Sequence, residues 1–187
     1  MNAFGFDEQL AMSEGVCETG DIESMILGCI PGSVAVHRAH ESNDRSGVDY
    51  WVEHERLRHL AVDVKCRDED YATKGFDDLA LEVASVMPEN GRGGAIGWTL
   101  NTKKNCDYIL WLWRDTGRFC IVPFHLLCKV FRKHKDAWCR EYKTAIQTSR
   151  QGSRTWRSQC VFVPRREVWA AIYRTSGGVT DGTVTQH

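Results

Sequence analysis

The sequence predicts an α/β or α+β domain built on a mixed central sheet flanked by helices, and three observations carry that expectation. Short runs of β-branched and aromatic residues, several alternating in polarity, recur before residue 90. Two largely apolar runs flank Asp115-Thr116-Gly117, the strongest turn signal in the chain. Apolar residues at helical spacing frame these runs on both sides. With 187 residues, 42% of them hydrophobic and 26% charged, the chain has the size and composition of one globular domain. That domain is set at residues 1–175, and the small polar tail 176–187 is expected to be disordered. No apolar run approaches the roughly 20 residues of a membrane-spanning helix, and the acidic start has none of the marks of a signal peptide.

Residues 18 to 29 place Ile22, Met25, Ile26 and Cys29 at helical spacing behind leading acids, and Pro31-Gly32 stops this first helix. A three-stranded meander follows, over 33–39, 48–54 and 58–66, with a connection between its last two strands short enough for an antiparallel hairpin. Residues 79–86 read as a further strand, and the glycine-rich stretch GRGGAIG as a loop. The runs 107–113 and 118–124 then form a hairpin whose apolar character places it centrally, covered by helices. From 125 to about 147 the spacing of Leu126, Leu127, Val130, Phe131, Trp138 and Ile146 predicts an amphipathic helix, or two short ones. A polar loop over 148–158, a short strand over 160–164 and a last helix over 166–174 complete a domain with one mixed sheet. Trp51, Trp111, Trp113, Trp138 and Trp169 fall on apolar faces and read as core.

The eight cysteines lie mostly inside apolar stretches and form no CxxC, as buried thiols in a reducing cytoplasm would. A net charge of −1 conceals an asymmetry: residues 1–90 hold 7 Lys+Arg against 19 Asp+Glu, whereas residues 129–174 hold 12 against 3. Such a chain carries an acidic part suited to divalent cations and a basic part suited to a polyanion, or two solvated faces of opposite sign. Walker, GxSxG and Rossmann signatures are missing, so a nucleotide cofactor and acyl transfer lack support. His37-x-x-His40 and the set Cys120, His125, Cys128 give no four-ligand zinc spacing.

Chemistry concentrates on the second and third strands, in Gly47-Val48-Asp49 and Asp63-Val64-Lys65. Alternation puts Asp63 and Lys65 on one face, and an antiparallel neighbour brings Asp49 onto it. Two acids and a lysine on a core strand are costly unless a cation or ligand balances them. Oxygen ligands from Asp49, Asp63 and the carbonyl of Val64 suit Mg²⁺, with Lys65 placed to orient a nucleophile or offset transition-state charge. Phosphodiester hydrolysis uses that combination. A second acid-x-Lys triplet, Glu141-Tyr142-Lys143, falls in the predicted amphipathic helix without a partner acid.

A helix followed by a meander carrying Asp49, then Asp63-x-Lys65, resembles the PD-(D/E)XK nuclease superfamily, the restriction-endonuclease-like fold. The resemblance covers roughly residues 18 to 125 in organisation and implies an αβββ-αβ core. It matches Asp49 to the family's first acid, Asp63 to its second and Lys65 to its lysine, with Val48 in place of the proline. The Holliday-junction-resolvase branch adds a glutamate from the first helix, for which Glu23 or Glu18 stands here. Glu82, in the apolar LALEV, is a further candidate ligand and catalytic residue. Gly97-Trp98, CDYILWLW and VFVPR are similar to small phage-encoded members. The resemblance implies a Mg²⁺-dependent DNA endonuclease, with Mn²⁺ able to substitute, acting as a homodimer, with branched or structured DNA among its substrates. Lys103, Lys104, Arg150, Arg154 and Arg157 supply candidate phosphate contacts, and Trp156 a stacking side chain. The other reading is a nuclease fold without catalysis, serving as a DNA-binding module or a phage-encoded regulatory or anti-defence module.

Overall fold

The computed structural model describes residues 21–40, 47–57, 59–88 and 93–176, which form an α+β unit of two sheets and three α-helices. Glu18, Arg92 and residues 177–187 of the tail lie outside the described residues. No described helix is long and apolar enough to cross a membrane.

Helix α1 (Asp21–Cys29) buries Ile22 and Ile26, with Ile30 just beyond, on one stripe. Strands β1 (Ser33–Arg38), β2 (Tyr50–His54) and β3 (Leu60–Arg67) form the expected antiparallel meander. The chain then leaves this sheet through a 3₁₀ turn (Tyr71–Lys74), β4 (Asp78–Val86), β5 (Ala95–Ile96) and a second 3₁₀ turn (Trp98–Leu100). It returns as β6 (Tyr108–Trp113), parallel to β3, and β7 (Phe119–Pro123), antiparallel to β6. The five-stranded order is β1-β2-β3-β6-β7. Where the resemblance implies a helix between β3 and its parallel neighbour, the described residues of this crossover hold strands and 3₁₀ turns instead.

Both faces of this sheet are covered around β6, which explains its unbroken apolar run. Ile22 and Ile26 pack with Tyr50, Val52, Val62, Leu110 and Leu112 on one side. On the other, Ile109, Trp111, Trp113 and Val122 meet Phe124, Leu127 and Phe131 of α2 (Phe124–Glu141) together with Leu79 and Leu81 of β4. Trp138 also lies in this core, whereas Trp51 is half-buried and Trp169 is 38% exposed, so neither of those two is the core residue its apolar flanks suggested.

The single sheet expected from the sequence is two sheets. β4 pairs with β9 (Arg154–Pro164), and β5, β4, β9 and β8 (Thr144–Gln151) make an antiparallel sheet of their own. The physical reason is edge competition: β6 takes the free edge of β3 over six residue pairs, and β4 buries Leu79 and Leu81 beside Val161 and Val163 instead. Two boundaries move with it. The helix expected to run to residue 147 ends at Glu141, because Thr144, Ala145 and Ile146 pair with β9. The expected loop over 148–158 is a β-ribbon turning at Gly152, whose φ of +56° suits glycine. Helix α3 (Arg165–Thr175) closes the chain.

A buried carboxylate fastens these parts. Asp70, 2% exposed, accepts from the Ala72 N–H, capping its 3₁₀ turn, and from Arg118 Nε at 2.6 Å and Nη2 at 2.7 Å. Arg118 also donates to Asp77 at 2.8 Å and lies 4.0 Å from the Trp113 ring, and Arg165 at the start of α3 reaches Asp77 at 2.8 Å. The Arg118 hydrogen bonds hold the Asp70 carboxyl well below the usual carboxylate range, outweighing its burial. Arg118→Met therefore leaves a buried charge unpaired and should destabilise the protein by about 3 kcal/mol in urea unfolding at pH 7. A depressed carboxylate contributes its stability above the ordinary value near 3.8 and loses it as pH falls further. The penalty of the variant should accordingly shrink in acid.

Candidate active site

The β2–β3 ladder pairs Tyr50 with Val62 and Trp51 with Ala61, and the Asp49 N–H donates to the Val62 carbonyl at 2.9 Å. Asp49 stands one residue ahead of β2, and this bond falls one place out of the β2–β3 register, so Asp49 lies at a slip in the ladder and not squarely opposite Asp63, whose side chain is on the sheet face away from α1. The Asp49 carboxylate accepts the Val64 N–H at 2.6 Å. Within a strand the N–H and C=O of one residue point to the same side, so the Val64 carbonyl also faces the Asp49 edge. Lys65, two places along from Asp63, donates to Asp63 Oδ1 at 2.9 Å and lies 2.8 Å from Oδ2. Asp49, Asp63 and Lys65, expected to converge, do meet.

A fourth residue joins them. Lys104, assigned from sequence to phosphate contacts, reaches Asp63 Oδ2 at 2.6 Å with its side chain only 9% exposed. Its tail passes over Gly47, where a Cβ would stand 2.3 Å from Lys104 Cε and where φ is +70°, so only glycine leaves that path open. Both ammonium groups lie over the Trp98 indole, at 5.5 Å for Lys65 and 5.6 Å for Lys104. Trp98 packs in turn on Trp111 and Phe124. On the same face, Trp51 with His37 and His59 lines an open depression.

Glu82 does not join the aspartates. It sits on β4 in the second sheet, where its carboxylate accepts the Trp98 N–H at 2.9 Å and the Ser85 hydroxyl at 2.6 Å, while its own N–H donates to Thr99 Oγ1. Its work is to fix the turn that carries Trp98. Glu23 is exposed on α1, which packs on the sheet face opposite to Asp63. Among the described residues no group of three or more His, Cys, Asp or Glu side chains is placed to hold a metal ion, and the acids that meet here are Asp49 and Asp63. Lys103 is exposed on the loop beside Lys104. On the β8–β9 ribbon the register puts Arg154 and Trp156 on one face and Arg150 and Arg157 on the other, with Arg154 paired to residue 151 at the tip. Sequence reasoning missed Lys104 and Trp98 as members of the site; the one local signal was the glycine directly ahead of Val48-Asp49.

The two carboxylates differ in charge state. Burial, and then the negative charge of Asp63, push Asp49 up to about 6. Burial would raise Asp63 as well, but Lys65 and Lys104 outweigh it and hold that carboxyl below its ordinary value. Burial works against the Lys65 charge, and Asp63 more than restores it. One acid is thus permanently ionised while its neighbour titrates near neutrality. Two carboxylates and a backbone carbonyl make a sparse donor set, the kind that suits Mg²⁺, which keeps several of its waters and takes one or two protein carboxylates.

The raised Asp49 sets a signed prediction. Its ionisation costs folding free energy as pH rises from the ordinary carboxylate value, 3.8, towards 6, and the cost is complete above that. Asp49→Asn keeps an acceptor for the Val64 N–H without the charge. It should raise stability by roughly 2 kcal/mol at about pH 7.5, and by less than half of that at about pH 4.5, in thermal or urea unfolding. The chain matches no protein-family model, no curated protein and no solved structure, so this geometry stands on its own residues.

Proposed function

We propose that this protein is a Mg²⁺-dependent endonuclease that hydrolyses phosphodiester bonds in DNA, branched or structured DNA included. The observation that carries the reading is the meeting of Asp49, Asp63 and Lys65 on the central strand of the five-stranded sheet and at the mouth of its neighbour. Asp49 and Asp63, with the Val64 carbonyl, would hold the ion, and Mn²⁺ would substitute. When bound, Mg²⁺ supplies polarisation of the phosphoryl oxygen and acidification of a coordinated water. Lys65, kept as an ammonium by Asp63, donates hydrogen bonds to the attacking water or to a phosphoryl oxygen and offsets the charge that accumulates there. In the net reaction a water oxygen bonds to phosphorus as one bridging P–O bond breaks. The proton that water loses is matched by one gained at the leaving hydroxyl.

The β8–β9 ribbon supports a DNA substrate. A two-stranded ribbon fits the major groove, where arginines on both of its faces, Arg154 on one and Arg150 and Arg157 on the other, would contact phosphates of the flanking strands, with Lys103 near the site and Trp156 as a stacking side chain. A homodimer is expected from the resemblance, since two strands must be cut. Residence in the cytoplasm accords with the free thiols of all seven described cysteines. One observation favours the second reading, a DNA-binding or phage-encoded regulatory or anti-defence module that does not cut: two lysines already balance the two acids.

Incubation of plasmid and four-way-junction DNA with the protein, in Mg²⁺ and in EDTA, decides between them. Cleavage in Mg²⁺ alone is expected, reduced at least about 100-fold by Asp63→Asn and by Lys65→Ala with DNA affinity retained. Cutting that survives both substitutions would sink the enzymatic reading, and absence of cutting by the wild type on either substrate would establish the module. For the ribbon, Arg154→Ala and Arg157→Ala should weaken binding across unrelated sequences. Each should also reduce the slope of log K against log salt by about 1, as read by fluorescence anisotropy.

A further inference from the structure

We propose that Lys104 is a positioning residue that makes divalent-ion binding at Asp49 and Asp63 depend on substrate. Its ammonium rests on Asp63 while the site is free and shifts to the substrate phosphate when ion and DNA are bound together. The inference rests on the nuclease reading and assigns that site its order of loading.

The first ground is occupancy of the acid. Asp63 Oδ2 receives both ammonium groups, Lys65 at 2.8 Å and Lys104 at 2.6 Å, while Oδ1 receives Lys65 again at 2.9 Å. An ion that takes Asp63 Oδ2 must therefore displace an ammonium. Lys65 stands two residues along the same strand, where β3 pairs with Trp111 of β6. Lys104 comes from the irregular segment between the second 3₁₀ turn and β6, on a four-carbon stem lying along Gly47. Lys104, though its side chain is only 9% exposed against 32% for Lys65, is the one whose backbone belongs to no strand, and Trp98, 5.6 Å from its nitrogen, offers a ring face along which the ammonium can leave Asp63.

The second ground is charge. With Asp49 ionised, two carboxylates and two ammonium groups sum to zero. An ion alone leaves the buried cluster with two uncompensated positive charges, an arrangement a low-dielectric site penalises. The phosphodiester brings one negative charge, and the transition state for attack by hydroxide carries two, so that ion plus transition state restores neutrality. A site with one lysine would start out negative and attract the ion by itself. The second lysine removes that attraction and returns it only when phosphate is present. Ion and substrate then favour each other, and reciprocally, because the coupling is a single free energy.

Calorimetric titration of the full chain with Mn²⁺ tests this, alone and with a four-way junction whose bridging ester oxygens are replaced by methylene groups, which keeps the charge and prevents hydrolysis. Wild-type protein should bind Mn²⁺ at least about tenfold tighter with this DNA than without it. Lys104→Met and Lys104→Gln should bind Mn²⁺ alone at least about tenfold tighter than wild type and lose most of the coupling, whereas Lys104→Arg should keep it. General damage to the fold cannot raise ion affinity, so the gain is diagnostic of position. Equal or weaker Mn²⁺ binding by both neutral variants, with wild type binding, overturns the inference and leaves the nuclease reading standing. Failure of every form to bind Mn²⁺ with or without DNA overturns both.

Discussion

Burial of the Asp63 carboxylate is the constraint around which the site is arranged. At 2% exposure in the middle of β3 this charge has no water to rely on, so the fold must bring cations to it. One comes cheaply, from the same strand. The other has to be delivered by a loop far along the chain, and that requirement explains several otherwise unrelated features. Gly47 must lack a side chain so that the Lys104 stem can pass. Trp98 must lie beneath both ammonium groups, which calls for a turn held in place from elsewhere. Glu82 and Thr99 hold it: the glutamate accepts the Trp98 N–H, and the fully buried threonine accepts the Glu82 N–H. Gly97 allows the turn to approach, since a Cβ there would lie 2.0 Å from the Glu82 carbonyl oxygen.

What could be read from the sequence divides along the range of the interactions. Asp63 and Lys65 were legible because strand alternation is a local rule, and Asp49 because a short hairpin brings it near them; the one-residue slip at Asp49, where its carboxylate takes the Val64 N–H, was not. Lys104 was not, because it stands 41 residues from its partner and arrives on an irregular segment that no periodicity describes. Glu82 was misjudged for a related reason. An acid within an apolar strand marks a buried carboxylate equally well whether it binds an ion or caps a backbone N–H, and only the neighbouring turn reveals which. The boundary at residue 142 failed differently. Thr144, Ile146 and Thr148 carry a two-residue alternation that competes with the helical spacing of the preceding segment, and pairing with β9 decides in favour of strand.

The charge asymmetry of the sequence takes on a spatial meaning in the two sheets. The acidic half builds β1 to β3 and supplies the paired aspartates. The basic half builds α2, the β8–β9 ribbon and α3. The two signs are thereby kept apart: the paired carboxylates are buried and lysine-balanced, and the arginines stand on a separate element.

Strand β4 joins these two parts. Its backbone pairs with β9 from Asp78 opposite Pro164 to Ala84 opposite Gln159, and just beyond its end the Met87 N–H donates to the Arg157 carbonyl at 2.7 Å. From the same strand the Glu82 side chain fixes the turn that sets Trp98 beneath Lys65 and Lys104. The path from the basic ribbon to the buried acids thus runs through one strand and one carboxylate rather than through a flexible linker. For a site whose charge balance rests on two lysine nitrogens around one buried carboxylate, that rigidity matters: the separation of the arginine-bearing ribbon from the paired aspartates is set by paired strands and one buried hydrogen bond.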